Sequence, residues 1–239
     1  MIKEKISHFF KYSIGEIIIV VLGVLIAIQL NNWNEGWNED KRIENYFDRV
    51  QEEIKLNYKV PAGNGAYTMN TIIPDLKTAG RIIRDNESDS LAVLFEKIKW
   101  LTESELLSFQ YPIIEEFVAK GYLSEINDSK LNELFVYFNY VRSQCDITDE
   151  MTRDYQIQLI KPFLIKHTHY ASLDYYNTER QFDDRVAQDL GSLLKNVELE
   201  NLISLYITHL ERAVMNFGEL SSTLERINER IKEIQSEAQ

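Results

Sequence analysis

A single cysteine and nine glycines in 239 residues remove several classes of protein at the outset. Cys145 has no second cysteine to pair with, which excludes an internal disulfide and any Cys-x-x-Cys redox or zinc motif. With nothing basic beside it, Cys145 is read as a small buried apolar group rather than a nucleophile. There is no Gly-x-Ser-x-Gly elbow, no Walker loop and no dinucleotide glycine fingerprint. Local motif therefore offers neither a catalytic nucleophile nor a phosphate cradle, and no enzyme activity and no cofactor are expected. Basic charge is also scarce: 26 Lys and Arg stand against 38 Asp and Glu, a net charge of -12. That balance works against nucleic acid or an anionic lipid surface as the main partner, because both reward a basic face.

Against these absences stands one long apolar run, Ile14 to Leu30. No charged side chain occurs from Ile17 to Asn34. At about 1.5 Å per helical residue, this approaches the length that crosses a hydrocarbon core. Its flanks suit a membrane better than a buried core: Lys3, Lys5, Lys11 and Tyr12 precede it, and Trp33 and Trp37 follow at headgroup depth. No small-x-small cleavage site follows, so a retained anchor is expected rather than a processed signal. The lysines lie on the N-terminal side and the residues just past the span are acidic. This bias places the N-terminus in the cytoplasm and the C-terminal domain in the periplasm, across an inner membrane crossed once.

Within the span, Gly15, Gly23 and Ala27 share a helical face, the small-residue pattern that allows close packing on another helix. Glu16 stands at the entry to the apolar run. It is either a carboxylate at headgroup depth or a titrating group of an ion-motor or channel-associated subunit. The stretch from Gly15 to Glu35, GEIIIVVLGVLIAIQLNNWNE, resembles the opening of a bacterial family of uncharacterised single-span membrane proteins. Gly15, Glu16, Gln29, Asn31, Asn32, Trp33, Asn34 and Glu35 carry the likeness, and a weaker one covers Tyr111 to Tyr140, where Tyr122 separates Gly121 from Leu123. The resemblance implies a membrane-anchored helical protein and no particular reaction.

The remainder reads as helices. Ile43, Phe47, Val50 and Ile54 recur at helical spacing and continue the span outward. Pro61, Gly63, Asn64 and Gly65 are expected to break the chain into a loop. A helix is predicted from about Thr68 to Asp85, begun or bent by Pro74, and another after a Ser90 cap through Leu91, Leu94, Phe95 and Ile98. Pro112 and Gly121 bracket a short helix, on which the adjacent Glu115 and Glu116 point apart and so form no acid/base pair. Asn127 or Asp128 caps the longest internal helix, which runs toward Leu159 until Pro162 ends or kinks it. Its aromatics Tyr137, Phe138 and Tyr140 are read as core, with a ligand pocket as the lesser alternative. His167 and His169 make a weak metal pair in an irregular loop, at a spacing that matches no standard zinc motif.

From Glu198 onward the pattern sharpens. Ile203, Tyr206, Leu210, Phe217, Leu220, Leu224, Ile227 and Ile231 form a heptad seam, whose partner is either the stripe Ile43–Ile54 or the same helix of another subunit. The sequence thus predicts an all-α protein in three parts. These are a short segment 1–13, a transmembrane helix 14–34, and a soluble helical bundle 35–239 with a long heptad-patterned C-terminal helix. The expected role is a scaffold or interaction protein in a membrane complex, its partners being the bilayer, other envelope proteins or a second copy of itself. A membrane-tethered metalloenzyme is the third alternative.

Overall fold

The computed structural model describes residues 2–57, 59–103, 110–126, 128–177, 179 and 181–237, with side chains from Val20 onward except Asp40. The described residues are helical and include no strand, so the protein is all-α. Two compact units divide between Arg49 and Val50. The sequence puts the boundary at Asn34/Glu35 instead. Residues 35–49 continue the helix that carries the apolar run, and no breaker separates them from it.

The first unit is built on helix α1, Ile2–Asn57, whose last residues belong to the second unit. Among the described residues, no helix is long and apolar enough to cross a membrane. Val20 to Leu30 all lie exposed on α1, and the large apolar side chains among them are 50–61% accessible. Beyond the run, Asn31 Nδ2 donates to Glu35 Oε1 at 2.7 Å and Lys41 Nζ sits 3.7 Å from the centre of the Trp37 ring.

The second unit is a bundle. After α1 come α2 (Lys59–Tyr67), a π-helical turn (Thr68–Ile72), α3 (Ile73–Asp85), α4 (Leu91–Ile98), α5 (Pro112–Ala119) and α6 (Tyr122–Ile126). Then follow α7 (Ser129–Tyr155), a second π turn (Gln156–Ile160), α8 (Lys161–His167), α9 (Tyr170–Leu173), α10 (Asp184–Ser192) and α11 (Val197–Glu237). The expected Pro61–Gly65 loop is instead α2. Pro61 occupies the first turn, where the missing N–H costs no intrahelical bond, and Gly65 is buried against α11. A Cβ at Gly65 would come 3.6 Å from Phe217 Cβ, so the glycine lets two backbones approach. Burial of this face offsets a propensity cost of about 1 kcal/mol per glycine.

Helix α11 is the axis of the bundle. Gly65 meets Phe217, Lys77 Nζ reaches Glu211 Oε1 at 2.9 Å and Gly80 faces Ile203, so α2 and α3 run antiparallel to it. On another side, Arg230 Nη2 donates to Asp128 Oδ2 at 2.6 Å, Tyr137 Oη to Glu219 at 3.2 Å and Tyr155 Oη to the Leu202 carbonyl at 3.1 Å. Helix α7 is therefore antiparallel to α11 as well. The chief partners of the heptad helix are α7, α2 and α3 of its own chain, with Val50 and Ile54 the buried members of the Ile43–Ile54 stripe in this unit.

The two π turns answer to two prolines. Ile73 N–H reaches back five residues to Thr68 O, and Lys161 N–H to Gln156 O, in each case immediately before Pro74 or Pro162. One residue of slack widens the turn and relieves the clash that a proline ring would make with the carbonyl behind it. The helical path continues through both prolines.

The caps are partly as expected. Asp128 caps α7 by accepting from Leu131 N at 2.6 Å, and Gly121 at φ +79° closes the α5 turn. Ser90 makes no cap bond. It sits at the end of a 3-10 turn, and its hydroxyl donates to Glu87 Oε2 at 3.1 Å.

Candidate functional site

Both π turns border one cavity of about 260 Å³ in the second unit. Its walls come from α2, α7, α11, the two π turns and the segment after α4, and they are aromatic on several sides: Tyr67, Trp100, Tyr206 and Phe217. Trp100 is held in place because its Nε1 donates to Asp75 Oδ2 at 2.9 Å, while Lys97 Nζ reaches the other oxygen of that carboxylate at 2.6 Å. The Tyr67 ring meets Trp100 edge-on at 6.0 Å between centres, and the Tyr175 ring lies tilted against Trp100 at 5.3 Å. These contacts fix a rigid wall.

The polar lining follows from a change of polarity along one buried face of α7. Its buried stripe runs Leu134, Phe138, Val141, Cys145 and then turns polar at Thr148, Thr152 and Gln156. Thr152 Oγ1 donates to Thr148 O at 2.7 Å, Asn216 Nδ2 donates to Thr148 Oγ1 at 2.8 Å, and Gln156 Nε2 donates to Leu101 O at 2.9 Å and to Glu103 O. Gln156 thereby fastens the segment that carries Glu103.

Two carboxylates complete the lining, Glu103 and Asp149. Burial pushes the Asp149 carboxyl up to about 6; nearby Asp146 adds to the rise and Arg153 opposes it. Burial also raises the Tyr206 and Tyr67 phenols, and Glu103 contributes to both. On α11, burial followed by Arg212 lowers the pKa of His209, whose ring lies 5.2 Å from Tyr155.

Because the folded value of Asp149 lies above the ordinary one, the folded protein holds a proton there between about pH 4 and 6 that the unfolded chain has lost. The group therefore favours folding less as pH rises through that window. Asp149→Asn is expected to be more stable than wild type by about 1 kcal/mol at pH 7, after discounting for the water the group still meets. The gap should close toward pH 4. Urea titrations of both proteins across that range check this, and a gap that widens on acidification would contradict it.

The sequence-derived residues lie elsewhere. Lys11, Tyr12, Gly15 and Glu16 are in α1, but their side chains lie outside the described residues. Gly23 and Ala27 belong to the exposed apolar run, and a Cβ at Gly23 would meet nothing within 4 Å. Trp33 and Trp37 are 76% and 57% exposed. Ile203, Tyr206, Phe217, Leu220, Leu224, Ile227 and Ile231 are buried and Leu210 is half-buried. Of these, Tyr206, Leu210 and Phe217 also face the cavity.

The α7 aromatics do not line it. Phe138 packs edge-on against Tyr111 at 5.3 Å, while Tyr137 and Tyr140 are exposed. Cys145 is buried, and burial lifts its thiol to about 12. Glu115 pairs with Arg142 and Glu116 with Lys120.

His167 ends α8 with its ring 4.5 Å from Phe163, and His169 Nδ1 lies 3.1 Å from Ser172 Oγ. Two aspartates that follow them in sequence have structural partners: Asp183 caps α10 at Val186 N, and Asp174 accepts from Tyr176 N. Among the described residues, no group of three His, Cys, Asp or Glu side chains is placed to hold a metal ion.

No family model, curated protein or solved structure matches the chain. The fold and the cavity define the protein's class as an all-α helical bundle with a partly open, acidic, aromatic-walled cavity. Its particular role is argued from these features alone.

Proposed function

We propose that the protein is a single-pass membrane-anchored interaction protein of the cell envelope, with the bundle outside the cytoplasm. The observation that carries this reading is the collar Val20–Leu30, apolar but for Gln29, which is exposed around the whole circumference of α1. A helix that is apolar on every face suits lipid or a protein interior rather than water. The collar alone is about 16 Å long, and the apolar sequence from Ile14 extends it toward the roughly 30 Å of a hydrocarbon core.

An interaction role draws on a second exposed stripe, Val136, Tyr140, Ile147 and Met151, spaced along one face of α7. The open face at Gly23 and Ala27 leaves room for another membrane helix.

Anchoring is tested by membrane fractionation of the full-length chain. Wild type is expected to stay in the membrane pellet through an alkaline carbonate wash. The double variant Val24→Arg with Leu25→Arg should leave it, since each central Arg costs about 2.5–3.5 kcal/mol on insertion. Release of the wild-type chain by the wash would end the membrane reading.

A further inference from the structure

The two carboxylates of the α2/α7/α11 cavity face a set of aromatic rings, and no Lys, Arg or His stands among the described residues that line it. Structural carboxylates elsewhere in this bundle are matched. Asp128 meets Arg230, Asp75 meets Lys97 and Trp100, and Glu115 meets Arg142. Asp149 is different: it is half-buried on the cavity wall, no ion pair holds it among the described residues, and Arg153, one turn on, acts on it only at longer range. A carboxylate in that position is stabilised by a cation that enters with a ligand.

The rings specify what kind of cation. The negative faces of Trp and Tyr attract ammonium groups whose hydration is weak, as in cages for quaternary ammonium and methylated amines. A hydrated metal ion would instead want several oxygen donors converging on a point, and the aromatic walls do not supply them. Size narrows the choice further. The volume equals that of roughly eight or nine waters at about 30 Å³ each, which suits a trimethylammonium head with a short tail. The wall is preorganised, because Asp75 fixes Trp100 and Gln156 fixes the segment bearing Glu103. A ligand would therefore meet little ordering cost.

We propose that the cavity walled by Tyr67, Trp100, Tyr206 and Phe217 binds a small organic cation of the alkyl- or quaternary-ammonium class, with Asp149 as its counter-ion and Glu103 as a second acidic wall. This site is independent of the anchoring reading and stands whether or not α1 crosses a bilayer. The ammonium group is the shared chemistry of a free metabolite and of a lipid headgroup.

The test is calorimetric titration of the full-length chain in a non-ionic detergent. The probes are choline, its uncharged isostere 3,3-dimethylbutan-1-ol, and dihexanoylphosphocholine. Choline is expected to bind at least about tenfold more tightly than the isostere, because a desolvated charge pair and the ring faces act only on the cation. Asp149→Asn should reduce that preference to less than about threefold. Tyr67→Leu, at a half-exposed position where folding is not at stake, should weaken choline about three- to fivefold while leaving the isostere nearly unchanged. Tighter binding of dihexanoylphosphocholine than of choline would assign the site to a lipid headgroup, and the reverse order to a free cation. Either order supports the proposal. Equal binding of choline and the isostere overturns it, as does unaltered choline affinity in Asp149→Asn, or no binding of either ammonium probe at about 100-fold the concentration typical of small-metabolite sites.

Discussion

Glu53→Ala is expected to lower the unfolding free energy of the bundle by about 3 kcal/mol, a fall in melting temperature of about 6–12 °C for a domain of this size. Helix α5 begins at Pro112, and its N-cap residue, Tyr111, contributes no side-chain bond. Its first free N–H groups belong to Ile113 and Ile114. They donate to Glu53 Oε1 at 3.0 Å and Oε2 at 2.9 Å, a carboxylate brought in from α1. Glu53 is 7% exposed, so its loss leaves buried donors without an acceptor and removes a negative charge from a helix N-terminus.

Glu53→Gln keeps the shape and one acceptor oxygen and should cost about half as much. The adjacent Tyr111 hydroxyl is buried with no partner among the described residues. Tyr111→Phe should accordingly cost less than about 0.5 kcal/mol, since no bond is broken. Thermal melts followed by circular dichroism check all three variants. A Glu53→Ala protein that melts within a degree of wild type would refute the cap.

Phe117→Ala is expected to be the most damaging single truncation, at about 3–5 kcal/mol. The ring is fully buried, 5.4 Å from Phe135 and 5.6 Å from Tyr122, so it joins α5, α6 and α7 in one aromatic contact. A cavity left there has aromatic walls from two elements, Tyr122 of α6 and Phe135 of α7, and cannot collapse by moving either one alone. Val136→Ala on the outer face of α7, where the side chain is 65% exposed, supplies the control and should fall within about 0.5 kcal/mol of wild type. Urea unfolding separates the two, and similar midpoints for both variants would mean that this aromatic cluster does not hold α5 and α6 to the bundle.

Much of this architecture is legible from residue spacing alone. The apolar period of 3.6 marks α3, α7 and α11, and the buried side of α11 follows Ile203, Phe217, Leu220 and Leu224, since a packed helix advertises its inner face every third or fourth residue. Glycine and proline are what mislead at Pro61–Gly65. The propensity cost there is local, while the packing on Phe217 that outweighs it comes from a residue far along the chain. The π turns have no residue signature of their own, and only the prolines downstream hint at them. Glu53 looks like one more solvated charge on α1, because the N–H groups it caps belong to another element.

The cavity is harder still to read. Tyr206 and Phe217 satisfy a heptad seam, and nothing in their spacing says that the seam opens at that level. The one visible sign is on α7, where an apolar stripe gives way to Thr148, Thr152 and Gln156. A buried face that turns polar without ending the helix has something to solvate.

The pairing of α11 with nearly every long element has a consequence for how the protein is made. Lys77 and Glu211 stand 134 residues apart in sequence yet touch. At roughly 5–20 residues per second of synthesis, α2 and α3 emerge on the order of ten seconds before the helix that covers them. During that interval their greasy sides, and those of α7, have no native cover. The bundle can therefore close only after α11 has been made, so folding of this unit waits on the last stretch of the chain.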